Sequence, residues 1–276
     1  ALSIKTDIIW IFKGMEIFPS TLVRLKTQFK LANYNPDHPF IISGSGSGNS
    51  YVTDSVGLYH LHFCYNSILQ KQIEQEYRIP AVFLPFGYEL KWEDYLVAAR
   101  EPELEKICFI GNPDKIREDT ISHLAENGFS IDVYGHGWDK TALRNRQGVG
   151  IHAAIDGMEF WNKIRGYRVQ LNIFRKHNLG SHNMRSFEIP AAGGIQLAPY
   201  SPEHASFFEE GKEIFLYRNQ DELLKLAKRL LENSKEQADV IRQAAVKRSL
   251  ESGYTYKDRA LTVFKTFERM LIHEQD

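Results

Sequence analysis

The sequence lacks several features that define whole classes of protein. Only two of its 276 residues are cysteines, Cys64 and Cys108, and disulfide-held scaffolds use many more, so we expect two buried, reduced thiols. No apolar stretch approaches the ~20 residues that cross a bilayer, and Ala1–Asp7 lacks the layout of a signal peptide. The net charge of −1 gives no reason to propose a nucleic acid or an anionic membrane as partner. We therefore expect a cytoplasmic protein without a transmembrane segment or a nucleic-acid partner.

Metal-binding residues are also absent in any usable pattern. His60 and His62 are two apart, and on a strand they would share one face, but no third ligand is near them in the sequence. The other candidates are scattered along the chain: Asp54, His136, Asp139 and His152. We predict no metal site.

What the sequence does contain is an alternation of short apolar runs and helical patterns. Ile8–Phe12 is a predicted strand, Pro19–Lys30 a predicted helix, and a second alternation begins with the strand Ile107–Ile110. Near the C-terminus, Ser234 and Gln237 have the spacing of a capping box. Strand, helix and strand in this order indicate crossovers and mostly parallel sheets. We predict two α/β domains and a C-terminal helical tail, with bounds at residues 1–100, 101–255 and 256–276.

Two glycine-containing strand ends in the second domain are candidate ligand sites, because ligands of open parallel sheets bind beyond the carboxyl ends of the strands. Gly111 and Asn112 follow the first strand and lead into a capped helix, whose free backbone N–H groups suit an anion. Gly135 and Trp138 follow the next strand, where glycine permits a close backbone approach and the indole offers a flat surface for a base or a sugar. The alternative in both cases is a plain turn.

The third candidate is a predicted helix over Ser181–Ala192. Ser181, His182 and Asn183 would lie at its N-terminus, which suits a diphosphate. Arg185 and Glu188 are three residues apart and share one helical face. A cation for phosphate beside a carboxylate for the two ribose hydroxyls is what a nucleoside diphosphate requires. The alternative is an intrahelical salt bridge that contributes about 0.2–0.5 kcal/mol.

Several stretches resemble the CgeB-like (spore-maturation type) glycosyltransferases. They extend over nearly the whole chain: Phe12–Gly14, Asn35–Phe40, Leu84–Gly87, Asn183–Gly194 (NMRSFEIPAAGG), Phe208–Ile214, Asp221–Leu223, and Tyr254–Tyr256 with Arg259. The resemblance implies a GT-B fold, in which two Rossmann-like domains face a cleft and the last helix crosses back to the first domain. It implies transfer of a hexosyl group from a UDP- or GDP-linked sugar to a saccharide or protein hydroxyl, in polysaccharide or glycoconjugate biosynthesis. No cofactor is implied, and the three loops above then bind the donor.

The sequence departs from this pattern in two respects. Glu188 corresponds to the second glutamate of the E-x7-E signature of retaining GT-B enzymes, which holds the donor ribose, but Gly180 occupies the place of the first. Retention and inversion therefore both stay open. Members of the family also usually have further strand-helix units before the equivalent of Ile8. We expect a short or truncated N-terminal domain, with a partner chain or a missing segment covering its sheet edge.

Catalysis would need two kinds of help. The helix N-terminus at Ser181, together with Arg185, could stabilise the leaving diphosphate without a metal ion. An inverting reaction also needs a base for the acceptor hydroxyl. Asp37 and His38, which follow a strand in the N-terminal domain, are the candidates, and a polar turn between prolines is the alternative.

Two other functions stay open. A sugar-nucleotide epimerase can share the GT-B fold, and it needs no acceptor. A non-catalytic nucleotide-sugar-binding or assembly subunit is the second alternative. Gly180 in place of a glutamate and the short N-terminal domain favour this second alternative.

Overall fold

The structure is a computed structural model that describes residues 6–42, 46–175 and 180–272. The strands in these ranges are β1 Ile8–Phe12, β2 Lys30–Asn35, β3 Leu61–Cys64, β4 Ala81–Phe83, β5 Leu104–Ile110, β6 Ile131–Tyr134, β7 Val149–His152, β8 Tyr167–Leu171, β9 Gln196–Pro199 and β10 Phe215–Tyr217. The α-helices are α1 Pro19–Lys26, α2 Ser50–Ser55, α3 Ser67–Tyr77, α4 Trp92–Ala98, α5 Lys115–Glu126, α6 Gly157–Gly166, α7 Arg185–Ala191, α8 Pro202–Phe207, α9 Gln220–Glu232, α10 Lys235–Glu251 and α11 Tyr256–Ile272.

The chain divides into two compact units. The first contains the residues up to Phe86 together with the chain from Tyr256, and the second is Gly87–Thr255. The first unit has a parallel sheet in the order β1-β2-β3-β4, so that β1 and β4 are its edge strands.

Both faces of the first sheet are covered, because its strand residues alternate between the faces. Phe63 of β3 lies edge-on to Phe267 of α11, with 5.6 Å between the ring centroids, and Trp10 of β1 contacts the same ring at 5.8 Å. On the other face, Ile11 and Leu22 belong to a separate buried cluster. The C-terminal helix thus forms one layer of the first unit.

The second unit has a parallel sheet in the order β10-β9-β8-β5-β6-β7. The chain forms β5, β6 and β7 in one direction and then returns to place β8 on the other side of β5. The strand order therefore reverses between β5 and β8, and the loops after these strands lead to opposite faces of the sheet. Such a switch point leaves a crevice at the carboxyl edge.

The second half of β5, from Ile107 to Ile110, is buried on both faces, as is usual for parallel sheets. Ile107 and Phe109 pack into one buried cluster with Leu124 of α5, whereas Cys108 and Ile110 pack into the other. The expectation of two parallel α/β domains with C-terminal helices is confirmed, and both cysteines are free and buried.

Element ends differ from the sequence prediction in a few places. The first helix ends at Lys26, because Lys30 already pairs with Ile8 in the sheet. The predicted helix over Ser181–Ala192 begins only at Arg185, so the residues before it form a loop. The edge strand β7 and the helix α8, both of which are short, were not predicted from the sequence.

Candidate functional site

The loops after β5 and β6 are in backbone contact. A Cβ atom on Gly135 would lie 2.3 Å from the carbonyl oxygen of Gly111, so only glycine fits there. The same carbonyl accepts a hydrogen bond from Nε1 of Trp138 at 2.8 Å, and Oδ1 of Asn112 accepts one from the backbone N–H of His136 at 2.9 Å. The structure therefore brings these four predicted residues together at the carboxyl edge.

Trp138 differs from the prediction in its exposure. Its side chain is fully buried in the core cluster on the α5 face of the sheet, so the indole is not available as a flat surface for a base or a sugar. The ring lies edge-on to Phe109, with 5.9 Å between centroids. Trp138 instead fixes the position of the Gly111 carbonyl.

Arg117 joins the two loops of the switch point. This buried side chain donates from Nη1 to the carbonyl of Asn112 at 2.8 Å, and from Nε and Nη2 to the carbonyl of Ile173 at 3.2 Å. Burial lowers the pKa of Arg117 to about 10; Asp114 opposes this change, and the positive charges of Arg175 and Arg185 lower the pKa further. Arg175 and Arg185 thus both lie within electrostatic range of Arg117.

Arg185 and Glu188 form the ion pair that their spacing predicts. The guanidinium of Arg185 also lies over the ring of Phe160, 4.3 Å from its centroid. Its Nε atom is buried and has no hydrogen-bond partner among the described residues. The side chains of Arg185 and Glu188 are 27% and 15% exposed, so both are accessible to a ligand while being held in place.

Ser181 and His182 point into the protein. Both side chains are fully buried, and both donate to the same carboxylate oxygen of Glu203, Ser181 from Oγ at 2.6 Å and His182 from Nδ1 at 2.9 Å. Because the helix begins after them and their side chains are already bonded, they do not present side-chain groups to a ligand at a helix N-terminus. This corrects the geometry expected from the sequence.

Asn183 belongs to a buried polar network. Its Nδ2 donates to Oδ1 of Asn172 at 2.8 Å, and its Oδ1 accepts from the backbone N–H of Ser186 at 3.1 Å. Asn172 in turn donates to Oε1 of Gln196 at 3.1 Å. The loop before α7 is therefore anchored to the end of β8 and the start of β9.

Sequence reasoning missed two kinds of residue at this edge. Arg175 lies shortly after β8, which ends at Leu171, and carries one of the three positive charges. Its place after a buried strand was a signal that could have identified it. Glu203 could not be recognised in this way, because it lies 22 residues from Ser181 in a helix that was not predicted.

The candidate bases lie at the carboxyl edge of the first unit's sheet. Asp37 forms an ion pair with Nζ of Lys13 at 2.6 Å, and its backbone N–H donates to Oδ1 of Asn35 at 3.0 Å. Nδ1 of His38 accepts from the backbone N–H of Phe40 at 3.3 Å. Lys13 has a left-handed φ of 60°, which is uncommon for a residue other than glycine and is enriched at functional sites.

In residues 6–42, 46–175 and 180–272, no three His, Cys, Asp or Glu side chains are grouped so that they could bind a metal ion. No helix within the same ranges combines the length and the apolar character needed to span a bilayer.

More than half of the chain matches a known protein family. Residues 117–265 match the model of a family described as glycosyl transferase-like. No curated protein sequence matches the chain.

Similar solved structures were found at low sequence identity. The GtfA/B complex aligns at 12% identity with a TM-score of 0.68, over 97% of this chain and 58% of the other. Sucrose-phosphate synthase from Thermosynechococcus elongatus aligns at 12% identity with a TM-score of 0.68, over 96% and 74%. HepE from Anabaena, solved with UDP-glucose, aligns at 13% identity with a TM-score of 0.66, over 95% and 79%. At these identities the likeness shows the fold, and the chain spans less than two thirds of the GtfA/B chain.

Proposed function

Because the chain belongs to the glycosyl transferase-like family, we propose that it transfers a sugar from a nucleotide-diphosphate donor to a hydroxyl group of a saccharide or protein acceptor, as a transferase of the CgeB-like type. In this reaction the acceptor oxygen forms a bond to the anomeric carbon, and the bond from that carbon to the diphosphate oxygen breaks. The acceptor loses its proton to a base, and the leaving diphosphate gains negative charge. The protein must therefore hold the nucleotide and stabilise that charge.

The cluster of Arg117, Arg175 and Arg185 is the observation that carries this proposal. Like charges repel; Asp114 and Glu188 offset part of this repulsion by pairing with Arg117 and Arg185, and a bound anion would offset more of it. The buried Nε of Arg185 lacks a partner among the described residues, and a buried unpaired donor calls for an explanation. A diphosphate would supply both the negative charge and the missing acceptor. The guanidinium fork matches phosphate geometry.

Glu188 is suited to the ribose of the same ligand. Its carboxylate is one helical turn from Arg185 and mostly buried, so it could accept hydrogen bonds from two adjacent hydroxyl groups while Arg185 contacts the phosphates. The backbone at Gly111, Asn112 and Gly135 would border the nucleotide on the other side of the switch point. The donor is then a UDP-linked or GDP-linked sugar, and the protein of similar fold solved with UDP-glucose supports the first of these.

Asp37 and His38 remain the proposed bases for the acceptor hydroxyl. The ion pair with Lys13 holds the Asp37 carboxylate in one orientation. Asp37→Asn and His38→Gln variants should each bind the donor normally, and the variant that loses transfer while keeping donor affinity identifies the base. If both variants retain transfer, neither residue is the base.

A binding experiment tests the donor site. Melting curves would be recorded with UDP, GDP, CMP and ADP and with their common sugars, each with and without a chelator. A ligand present at 100 times its dissociation constant should raise the free energy of unfolding by about 2.7 kcal/mol. We expect one diphosphate to stabilise the protein equally well with chelator, because the proposed contacts are arginine side chains and a metal ion is not required.

Variants make the test specific to the site. Arg185→Ala should lower the affinity for the stabilising nucleotide by roughly 10- to 100-fold, because charge-assisted hydrogen bonds contribute about 1.5–3 kcal/mol. Glu188→Ala should lower this affinity as well. Arg146→Ala is the matched control, since Arg146 forms an ion pair with Glu126 on an exposed surface. Stabilisation by no nucleotide, or an equal loss in the control, would contradict the donor site.

A non-catalytic nucleotide-sugar-binding subunit is the second candidate, and Gly180 favours it. This residue stands where retaining enzymes have a glutamate, and its φ of 84° is a conformation that residues with a side chain rarely adopt. Product analysis with a bound donor separates the functions. Transfer requires an acceptor, epimerisation occurs without one, and a binding subunit yields no product.

A further inference from the structure

We infer that Glu203 is a positioning residue for the donor site, and that Ser181 and His182 act through it rather than by touching the donor. This inference rests on the proposed function, since it concerns the same site. Glu203 is in the first turn of α8 and is 8% exposed. Its Oε2 accepts from Oγ of Ser181 at 2.6 Å and from Nδ1 of His182 at 2.9 Å. Because a carboxylate only accepts, both residues must direct their hydrogens inward.

A second contact fixes the same loop from its backbone. Oγ of Ser201 caps α8 by accepting from the backbone N–H of His204 at 3.0 Å. The same hydroxyl donates to the carbonyl oxygen of Ser181. The start of α8, with its capping residue Ser201, is therefore connected to the loop before α7 through the carbonyl of Ser181 and the buried carboxylate of Glu203.

Aromatic packing fixes the orientation of His182. Its ring lies edge-on to Phe187 of α7, with 5.5 Å between centroids, and edge-on to Phe207 of α8 at 5.0 Å. The imidazole is thus held between the two helices, with Nδ1 directed at Glu203. Such a ring cannot turn toward solvent without separating α7 from α8.

The consequence for the donor site follows from chain connectivity. Only Asn183 and Met184 separate His182 from Arg185, the first residue of α7. The position of the Arg185 guanidinium, and with it that of Glu188, therefore depends on where this loop is held. A displacement of about 1 Å is enough to weaken contacts that require a defined geometry. Removing the Glu203 carboxylate leaves the Ser181 hydroxyl and the His182 N–H buried without this acceptor, and the loop is then free to shift.

The chain offers a matched control in Glu213. It is 6% exposed, and it accepts from the backbone N–H of Glu209 at 2.7 Å and from Nε of Arg248 at 3.0 Å. Both glutamates are buried carboxylates with two donors in the same unit. Of these two glutamates, Glu203 accepts hydrogen bonds from the loop before α7, whereas Glu213 accepts them from Glu209 and Arg248.

The test compares wild type, Glu203→Ala, Glu203→Gln and Glu213→Gln. Titration calorimetry with UDP and with GDP would be done well below the melting temperature, where circular dichroism shows each variant to be folded. We expect Glu203→Ala to lower the affinity for the nucleotide by about tenfold or more. Glu203→Gln should lower the affinity less, because the amide oxygen still accepts a hydrogen bond. Glu213→Gln should bind the nucleotide as wild type does. A merely structural role would lower the melting temperature of both kinds of variant without separating their affinities.

Amide hydrogen exchange over residues 180–188 provides a readout that needs no nucleotide. We expect faster exchange there in the Glu203 variants and not in Glu213→Gln. If wild type binds neither nucleotide, the proposed donor site fails, whereas the exchange measurement still decides whether Glu203 holds the loop. Unchanged exchange and unchanged affinity in Glu203→Ala, or equal losses in Glu213→Gln, would overturn the inference.

Discussion

Replacing Gly135 by alanine tests the backbone contact on which the second unit's carboxyl edge depends. The added Cβ would lie 2.3 Å from the carbonyl oxygen of Gly111, 2.8 Å from its carbonyl carbon and 3.1 Å from Nε1 of Trp138. Two of these three atoms belong to the backbone, so no rotation of a side chain relieves the overlap. The loops after β5 and β6 would have to separate by roughly 1 Å to restore ordinary van der Waals distances.

Two costs add in this variant. Forcing an extra methyl group into a packed region costs about 1–3 kcal/mol. Separating the loops also stretches the buried hydrogen bond from Trp138 to Gly111, which is 2.8 Å long, and this costs about 1 kcal/mol. The sum is on the order of 3 kcal/mol, which would lower the melting temperature by roughly 6–12 °C for a unit of this size.

Differential scanning calorimetry of wild type, Gly135→Ala and Gly166→Ala measures the effect. Gly166 ends α6, and a Cβ added there would meet its nearest atoms at 3.6 Å and 3.7 Å, which is ordinary contact. The control should therefore melt at or slightly above the wild-type temperature, since alanine restricts the unfolded chain more than glycine does. A Gly135→Ala protein that melts within ~2 °C of wild type, on the same scale of about 2–4 °C per kcal/mol, would refute the reasoning.

Three further predictions concern stability. Burial lowers the pKa of His62 to about 4 and that of His204 to about 3, whereas an unfolded histidine has a pKa of about 6.5. Between these values the unfolded chain binds more protons than the folded one, so the free energy of unfolding should fall as the pH drops from about 6.5 toward 4. Urea titrations should find a shallower fall in His62→Gln and His204→Gln. Glu103→Ala leaves two buried arginines without their shared carboxylate and should cost about 3–5 kcal/mol in the same assay, and a cost below 1 kcal/mol would contradict a buried ion pair. Trp138→Phe keeps the ring in the core but removes the donor to a carbonyl oxygen, so it should cost about 1–3 kcal/mol, and an unchanged midpoint would show that this hydrogen bond contributes nothing.

The architecture could be predicted from sequence because its signals are local. Ile8–Phe12 is recognisable as a strand from its apolar run, and the structure has the same bounds, although this edge strand is only partly buried and Phe12 is exposed. The capping box at Ser234 and Gln237 is present at the start of α10, since both partners lie within one turn. A short edge strand such as β7 carries no comparable signal: its four residues include a glycine, and they pair on one side only, with β6.

The location of the candidate site was predictable for a related reason. All the loops that follow parallel strands meet at one edge, so Gly111, Gly135 and the approach to Arg185 had to be near one another once the strands were identified. The Arg185 and Glu188 ion pair followed from helical spacing alone. The donor role of these residues stays a prediction.

Side-chain direction at the same edge was not predictable, and Ser181 with His182 shows why. A serine and a histidine before a helix have the composition of an anion site, and nothing local distinguishes hydroxyl and imidazole groups that face a ligand from groups that face the core. Here the direction of both side chains is set by the carboxylate of Glu203, which lies 22 residues from Ser181. A buried charge requires hydrogen-bond donors, and the Ser181 hydroxyl and the His182 N–H are close enough to donate to it. Ser181 and His182 can then serve a ligand only through their backbone groups. Ser181 and His182, predicted as contacts, thus become supports, and the contacts in our proposal are the three arginines, only one of which was assigned to the donor from the sequence.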